Sequence, residues 1–366
     1  MSVSFFLPTK VLLDEDCVKK NAALFKIMGK KALIVTGRHS ARENGSLQDV
    51  TDALAFVGVD YVLYDKVESN PTIARVRDGA AFAKANGADF VIGIGGGSPM
   101  DAAKAMALLA CQDLSDDELF AGRYSPDVLP IVLLPTTAGT GSEVTQYSIL
   151  TNDKAQSKTS IATPLIFPKI AMVDAKYTHD LPLKTTINTA IDALSHSIEG
   201  MLAIKANSLI DLLATDSIAK IAQSFDKLLS GNVDAACRAN LIYASTLGGM
   251  VIAHTGTTAV HSMGYSLTYF HHIDHGRANG LLLAAFFNFV EKQNPAVISR
   301  LLDIMGLPSI TAFKNILDRL LGEKEKITAE EFKKFTGISI LAKNIANCTV
   351  VPTQEDIYNM YVESFS

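Results

Sequence analysis

The hydrophobic pattern changes its period once, near residue 180, and that change limits the fold more than any other feature of the sequence. Before it, short apolar runs alternate with helix-like stretches. Lys31–Thr36, Asp60–Tyr64, Asp89–Ile94, Val128–Leu134 and Ile170–Val173 read as strands, with helical patterns over about 41–57, 71–86 and 99–110 between them. Strands separated by helices of that length make βαβ units and a parallel sheet covered on both faces. From about Thr185 the strand runs stop. Asn188–Leu202, Ser208–Leu229, Asp234–Ala253, Thr257–Leu267 and Arg277–Glu291 then follow one another at helical spacing, and the mixed-sign stretch Gly322–Lys334 reads as a solvated turn and helix start. The expectation is an α/β domain over 1–180 and an all-α domain over 181–366. A chain of 366 residues, 48% hydrophobic and 19% charged, can give both domains a core.

Composition excludes several classes of function. A net charge of −5 offers no basic footprint for nucleic acid. The start, MSVSFFLPTKVLLDEDC, lacks the basic n-region of a signal peptide. The apolar run Gly280–Val290 falls short of the roughly 20 residues a membrane span needs. Neither nucleic acid nor membrane is expected as a partner, and the cytoplasm is the expected compartment. Cys17, Cys111, Cys237 and Cys348 show no C-x-x-C pair, which argues against both disulfides and a cysteine zinc site. Any metal must be held by nitrogen and oxygen.

Two glycine- and hydroxyl-rich loops follow strands. Gly93-Ile-Gly95-Gly96-Gly97-Ser98-Pro99-Met-Asp101 joins a strand to a helix, with Ser98 placed as N-cap, Pro99 as N1 and Asp101 as the capping-box acid. A helix N-terminus behind glycines is an anion site, although a ligand-free tight turn gives the same pattern. The spacing is not that of an ordinary Rossmann turn, since Ser98 stands where the third glycine would be. Pro135-Thr136-Thr137-Ala-Gly-Thr140-Gly-Ser142-Glu-Val-Thr145 carries five hydroxyl side chains and suits ribose and diphosphate, or else a helix cap at Thr140 or Ser142.

Asp192 and His196 stand i, i+4 on one helix face, a spacing that alone usually marks a surface pair. Five of the eight histidines, His254, His261, His271, His272 and His275, fall in a segment with no Lys or Arg between Ala239 and Gly276. Three imidazoles and one carboxylate would suit Fe(II) or Zn(II) with a position left for substrate. Spacing does not choose which two of the five join Asp192 and His196.

These segments, with Asp192-Ala-Leu-Ser-His196-Ser-Ile-Glu199 and His275-Gly-Arg-Ala-Asn279, resemble the iron-containing (group III) alcohol dehydrogenases nearly end to end, among them the bacterial 1,3-propanediol and lactaldehyde types. The resemblance implies a dehydroquinate-synthase-like dinucleotide-binding α/β domain, an all-α metal domain, and the active site in the cleft between them. It implies metal ligation by Asp192, His196, His261 and His275, with Fe(II) as the metal and Zn(II) as the alternative. Gly95, Gly96, Gly97, Ser98 and Asp101 would form the diphosphate loop, with Gly97 and Ser98 in contact. Thr136, Thr137 and Ser142 would line the nicotinamide half, Lys158 would reach the ribose or nicotinamide, and Asn70-Pro71 would end the second strand near the adenosine. Dimers would form through the apolar Val3–Leu7 stretch. Hydride would pass between NAD(P)(H) and a small neutral alcohol, diol or aldehyde.

Two positions depart from the family pattern. Tyr265 stands where many members carry a histidine that relays the proton, so the relay would run through Tyr265 or water. Many NAD-preferring members carry Asp after the first strand, where this chain has Gly37-Arg38-His39-Ser40. A missing carboxylate, with Arg38 and Ser40 as donors, favours NADP(H) over NAD(H). The alternatives are a metal- and NAD-dependent lyase of the dehydroquinate-synthase type, and a non-catalytic metal-binding relative. The lyase would need several cations for an acidic substrate, and the Lys/Arg-free run opposes it.

Overall fold

The computed structural model describes residues 3–154 and 157–366. The chain divides into two compact units, Leu7–Leu181 and Pro182–Ser366, and the described residues before Leu7 go with the second.

The first unit is built on six parallel strands, β1 (Lys10–Leu13), β2 (Lys31–Thr36), β3 (Asp60–Tyr64), β4 (Phe90–Gly95), β5 (Ile131–Pro135) and β8 (Ile170–Val173). Their order is β1-β8-β5-β4-β2-β3. Side chains alternate between the two faces of a strand, so a sheet covered on both sides needs apolar residues at every position. In β2, Leu33 and Val35 enter a core with the helices Ile73–Asn86 and Gly97–Leu109, while Ala32 and Ile34 enter another with the helix Ser46–Val57. The helices after β2 and β4 therefore lie on opposite faces. Winding reverses between these neighbouring strands, and at such a switch point a crevice opens at the carboxyl ends of the strands. The loops beginning at Gly37 and Gly95 flank it.

Two features depart from the sequence reading. β1 joins the sheet edge beside β8, although its four residues are too few to show a period. An antiparallel hairpin, β6 (Tyr147–Asn152) and β7 (Ser157–Ala162), follows the second loop, where polar residues hide the alternation. Val3–Leu7 forms no strand; Phe5 stacks on His254 at 4.1 Å, and the Phe6 N–H donates to His254 Nε2 at 2.9 Å.

Among its described residues the second unit contains no strand. Leu183–Met201, Ser208–Ala222, Ala235–Thr255, Ala259–His271 and His275–Glu291 are its first long helices. The stretch expected as one helix from Ser208 breaks at Ala222 and resumes at Phe225–Ser230. Leu183–Met201 is buried from Ala190 to Met201 without interruption, the mark of a central helix rather than an amphipathic surface one. Gly276 lets the His275–Glu291 helix cross it closely, because a Cβ there would collide with the Asn188 carbonyl and the Asp192 Cβ. No single helix among the described residues is long and apolar enough to cross a membrane.

Candidate functional site

The second unit brings four of the expected side chains to one point. Asp192 and His196 project from the central helix, His261 from Ala259–His271, and His275 from the first turn of His275–Glu291. The Nε2 atoms of His196, His261 and His275 lie 3.9, 3.8 and 3.9 Å from Asp192 Oδ1. With metal–nitrogen and metal–oxygen bonds of about 2.0–2.2 Å, two ligands of one ion stand at most about 4.4 Å apart. Each of these distances suits two ligands of one divalent cation; Asp192, His261 and His275 each offer an atom within 4.8 Å of the others, and His196 meets the group through Asp192 without completing that mutual set. Three side chains are sealed, at 2–6% exposure, whereas His275 is 24% exposed, so the cluster opens on the His275 side. Tyr265 stands there, stacked on the His275 ring at 5.2 Å.

Residues given no role by the sequence reading orient this cluster. Glu199 is wholly buried and its Oε2 contacts His261 Nδ1. Its Oε1 accepts from the Thr258 N–H at 2.8 Å, the Thr258 hydroxyl at 2.7 Å and the His261 N–H at 3.3 Å. Burial pushes the Glu199 carboxyl up, but His261 and the Thr258 donors outweigh it and hold it below its ordinary value. A carboxylate on Nδ1 keeps the proton on that nitrogen and turns the Nε2 lone pair toward Asp192. Asn279, one turn after His275, places Nδ2 3.0 Å from Asp192 Oδ1 and 3.2 and 3.3 Å from Nε2 of His261 and His275. The Asn188 amide donates to Asp274 at 2.7 Å, pinning the residue before His275. Spacing held the signal for two of these: Glu199 returns to the Asp192 face after two turns, and Asn279 to the His275 face after one. Of the other clustered histidines, His271 contacts Glu331 at 3.0 Å, His254 serves Phe5 and Phe6, and His272 is exposed.

In the first unit the glycine loop differs from its expected form. The helix begins at Gly97 with Gly96 as N-cap, so Ser98 is not the cap and Asp101 closes no capping box. Gly95 takes the bend at φ +149, which ends the turn early. Pro99 then sits within the first turn, where its missing N–H costs no helical bond. The freed Ser98 hydroxyl accepts from the Asn70 N–H at 3.1 Å. Asn70 and Pro71 lie beyond the end of β3 at Tyr64, held by Thr151 through their carbonyls at 2.9 Å each.

The second loop packs on the first, its Thr136 N–H donating to the Gly95 carbonyl at 2.9 Å. Its short 3-10 turn, Ser142–Val144, is capped by Gly141 and not by Thr140 or Ser142. Ser142 is buried, and its hydroxyl donates to Asp101 at 2.6 Å and accepts from Lys104 Nζ at 2.8 Å. Its hydroxyl is thus engaged by partners inside the protein. Thr137 is only half-buried, and Lys158 pairs in register with Thr151 on the hairpin. Beyond β2, Arg38 is exposed and lies 3.9 Å from Glu68, which also stands 3.8 Å from Arg75.

Comparison with known proteins agrees with this geometry. The family profile described as iron-containing alcohol dehydrogenase matches residues 8–175, and that of the Fe-containing alcohol dehydrogenase family C-terminal region matches residues 186–364. The chain belongs to the iron-containing alcohol dehydrogenase family. Alcohol dehydrogenase 4 of Schizosaccharomyces pombe is 31% identical over 87% of this chain and 76% of its own length. The 1,3-propanediol dehydrogenase of Citrobacter freundii is 32% identical over 83% and 78%. An iron-containing alcohol dehydrogenase from Thermotoga maritima superposes with a TM-score of 0.93 at 37% identity, covering 99% of each chain. This iron-type alcohol dehydrogenase is thus an oxidoreductase of alcohols and aldehydes that uses a metal and a nicotinamide dinucleotide.

Proposed function

We propose that this protein interconverts small neutral aldehydes and their alcohols or diols, with NADP(H) preferred to NAD(H) and Fe(II) as the working metal. The observation that carries the reading is the convergence of His196, His261 and His275 Nε2 on Asp192 Oδ1. When bound there, the metal supplies Lewis-acid polarisation of the substrate oxygen, and the coenzyme supplies the hydride chemistry. The chain's own residues do the rest. Asp192 and Glu199 provide buried negative charge for the cation, while Asn279 and Asn188 fix the ligands that frame it. Tyr265, on the half-open side of His275, stands in the path for the substrate proton to water. The reading assigns the diphosphate to the helix start at Gly97 and Ser98, and the nicotinamide half to Thr136, Thr137 and Lys158. Ser142 and Asp101 serve from beneath the loops.

Substrate charge follows from the cations. Arg277, two residues after His275, is 7% exposed and spent on Glu325 and the carbonyls of Leu321 and Glu323. A buried anionic group on the substrate would lack a partner there, at a cost of several kcal/mol. Relatives are named for both kinds of substrate, 1,3-propanediol dehydrogenase and sulfoacetaldehyde reductase. The NADP(H) preference rests on Gly37, with the exposed Arg38 beside it and Arg75 reaching the same Glu68. The reading also places the protein in the cytoplasm as a homodimer or larger homo-oligomer, to which the exposed Val3, Phe5 and Phe6 would contribute.

The test is to strip the metal, reload with Fe(II) or Zn(II) without oxygen, and assay neutral and sulfonated short aldehydes with NADPH. Turnover restored by Fe(II), with kcat/KM at least about tenfold higher for the neutral aldehyde, is expected, one decade corresponding to roughly 1.4 kcal/mol. Full turnover by the stripped protein, or preference for the sulfonate, would refute it.

A further inference from the structure

The loop from Pro135 to Thr145 has almost no regular structure, yet most of it is buried. Charge beneath it explains how it keeps one shape. Lys104 is wholly buried, and its ammonium donates to Ser142 Oγ at 2.8 Å, Thr145 Oγ1 at 3.1 Å and the Tyr147 carbonyl at 2.8 Å. Three donors meet three acceptors, the full valence of a lysine. Asp101, one turn earlier on the same helix, lies 4.0 Å from Lys104 Nζ and accepts from the Ser142 hydroxyl at 2.6 Å and the Ile149 N–H at 3.0 Å. The Asp101 carbonyl accepts from Ser148 at 2.7 Å. The helix that opens with the glycine loop thus grips the far end of the second loop and the start of the hairpin. Burial pulls the Lys104 ammonium down to about 8 against the attraction of Asp101 and Glu143, which leaves it mainly charged at neutral pH. Apolar residues often replace a buried ion pair at no loss of stability, so such a pair is a poor device for stability alone. Fixing a loop is the better account.

We propose that Lys104, with Asp101, is a positioning residue for the coenzyme: it touches no ligand and holds Ser142 and Thr145 so that the second loop keeps the shape the coenzyme binds. The proposal rests on the reading of these loops as the coenzyme site. Lys104→Met keeps length and loses the donors, and Asp101→Asn keeps size and loses the charge. In the full-length, metal-loaded enzyme both should raise the coenzyme KM roughly ten- to a hundredfold with kcat at saturation within about threefold, the scale of a charged hydrogen bond lost. Bound metal should stay at the wild-type level, a separation that a general loss of folding would not give. Should Lys104→Met fail to fold, Asp101→Asn decides the matter. Wild-type KM in the variants, or a fall in kcat and metal content with KM unchanged, overturns the proposal. Gly97→Val separates the two readings, since its side chain would strike Thr140. If it binds coenzyme normally, the loop assignment fails and takes the Lys104 proposal with it. If it loses coenzyme while Lys104→Met and Asp101→Asn bind as wild type, only the Lys104 proposal fails.

Discussion

The metal cluster and the coenzyme loops both bury charge, but they balance it differently. Around Lys104 the ammonium faces Asp101 within the same helix and the buried Glu143, so its charge is balanced by the chain itself. Around Asp192 no lysine or arginine is in reach among the described contacts; two buried carboxylates, Asp192 and Glu199, face imidazoles and amides. Two carboxylates buried with no lysine or arginine beside them are costly unless a cation shares the site. One region is complete and serves shape. The other is built of donors that would suit a cation.

Removing a ligand should strike only the second region, and it is the largest effect expected. His261→Ala deletes a donor on a rigid helix together with the partner of Glu199. Turnover should fall at least about a thousandfold, because metal polarisation is worth several kcal/mol. Coenzyme affinity, measured by fluorescence titration of NADPH, should hardly change. If His261→Ala retains full turnover with no bound metal, the ligand assignment is wrong and the contrast between the regions collapses.

A milder change sharpens the contrast without removing a ligand. Glu199→Gln keeps the shape and the bonds to Thr258, but it leaves His261 Nδ1 without a carboxylate. Metal affinity should weaken about 10- to 100-fold, the usual cost of losing the partner behind a ligating histidine. Competition with a chelator, followed by metal analysis, reads this directly. Wild-type affinity would show that the buried charge is not there for the cation.

How far each region could be read from sequence follows from the same difference. The metal cluster is made of side chains at helical spacing, and i, i+4 places Asp192 with His196 whatever the tertiary fold. Which further histidines complete it depends on helices crossing at Gly276, and no local pattern encodes a crossing. The loops are made of backbone, so their bonds leave weaker traces. Ser98 and Asp101 fit a capping box by spacing, but Gly95 bends the chain first and frees both for other partners. Lys104 was legible in principle, as the single charge in the Ala-rich stretch 102–111. β1 and the β6–β7 hairpin are too short or too polar to show a period, and their partners lie far along the chain.

The smallest expected effect tests the rim of the coenzyme region, where charge is exposed. At Gly37 a Cβ would meet only the Val67 carbonyl, at 3.4 Å, so Gly37→Asp fits without strain. Its carboxylate would stand beside Arg38, which is 65% exposed and 3.9 Å from Glu68. An acid there accepts from a ribose 2′-hydroxyl and repels a 2′-phosphate, and it competes for the guanidinium that the phosphate would use. Solvent screens exposed charges, so the effect belongs at the low end of a charged hydrogen bond, about tenfold in the ratio of kcat/KM for NADPH to that for NADH. The native enzyme should favour NADPH and Gly37→Asp should move the ratio toward NADH, with metal content and thermal stability unchanged. A native preference for NADH, or a ratio unmoved by the substitution, would mean that Arg38 is an ordinary solvated loop residue and that coenzyme choice is made elsewhere.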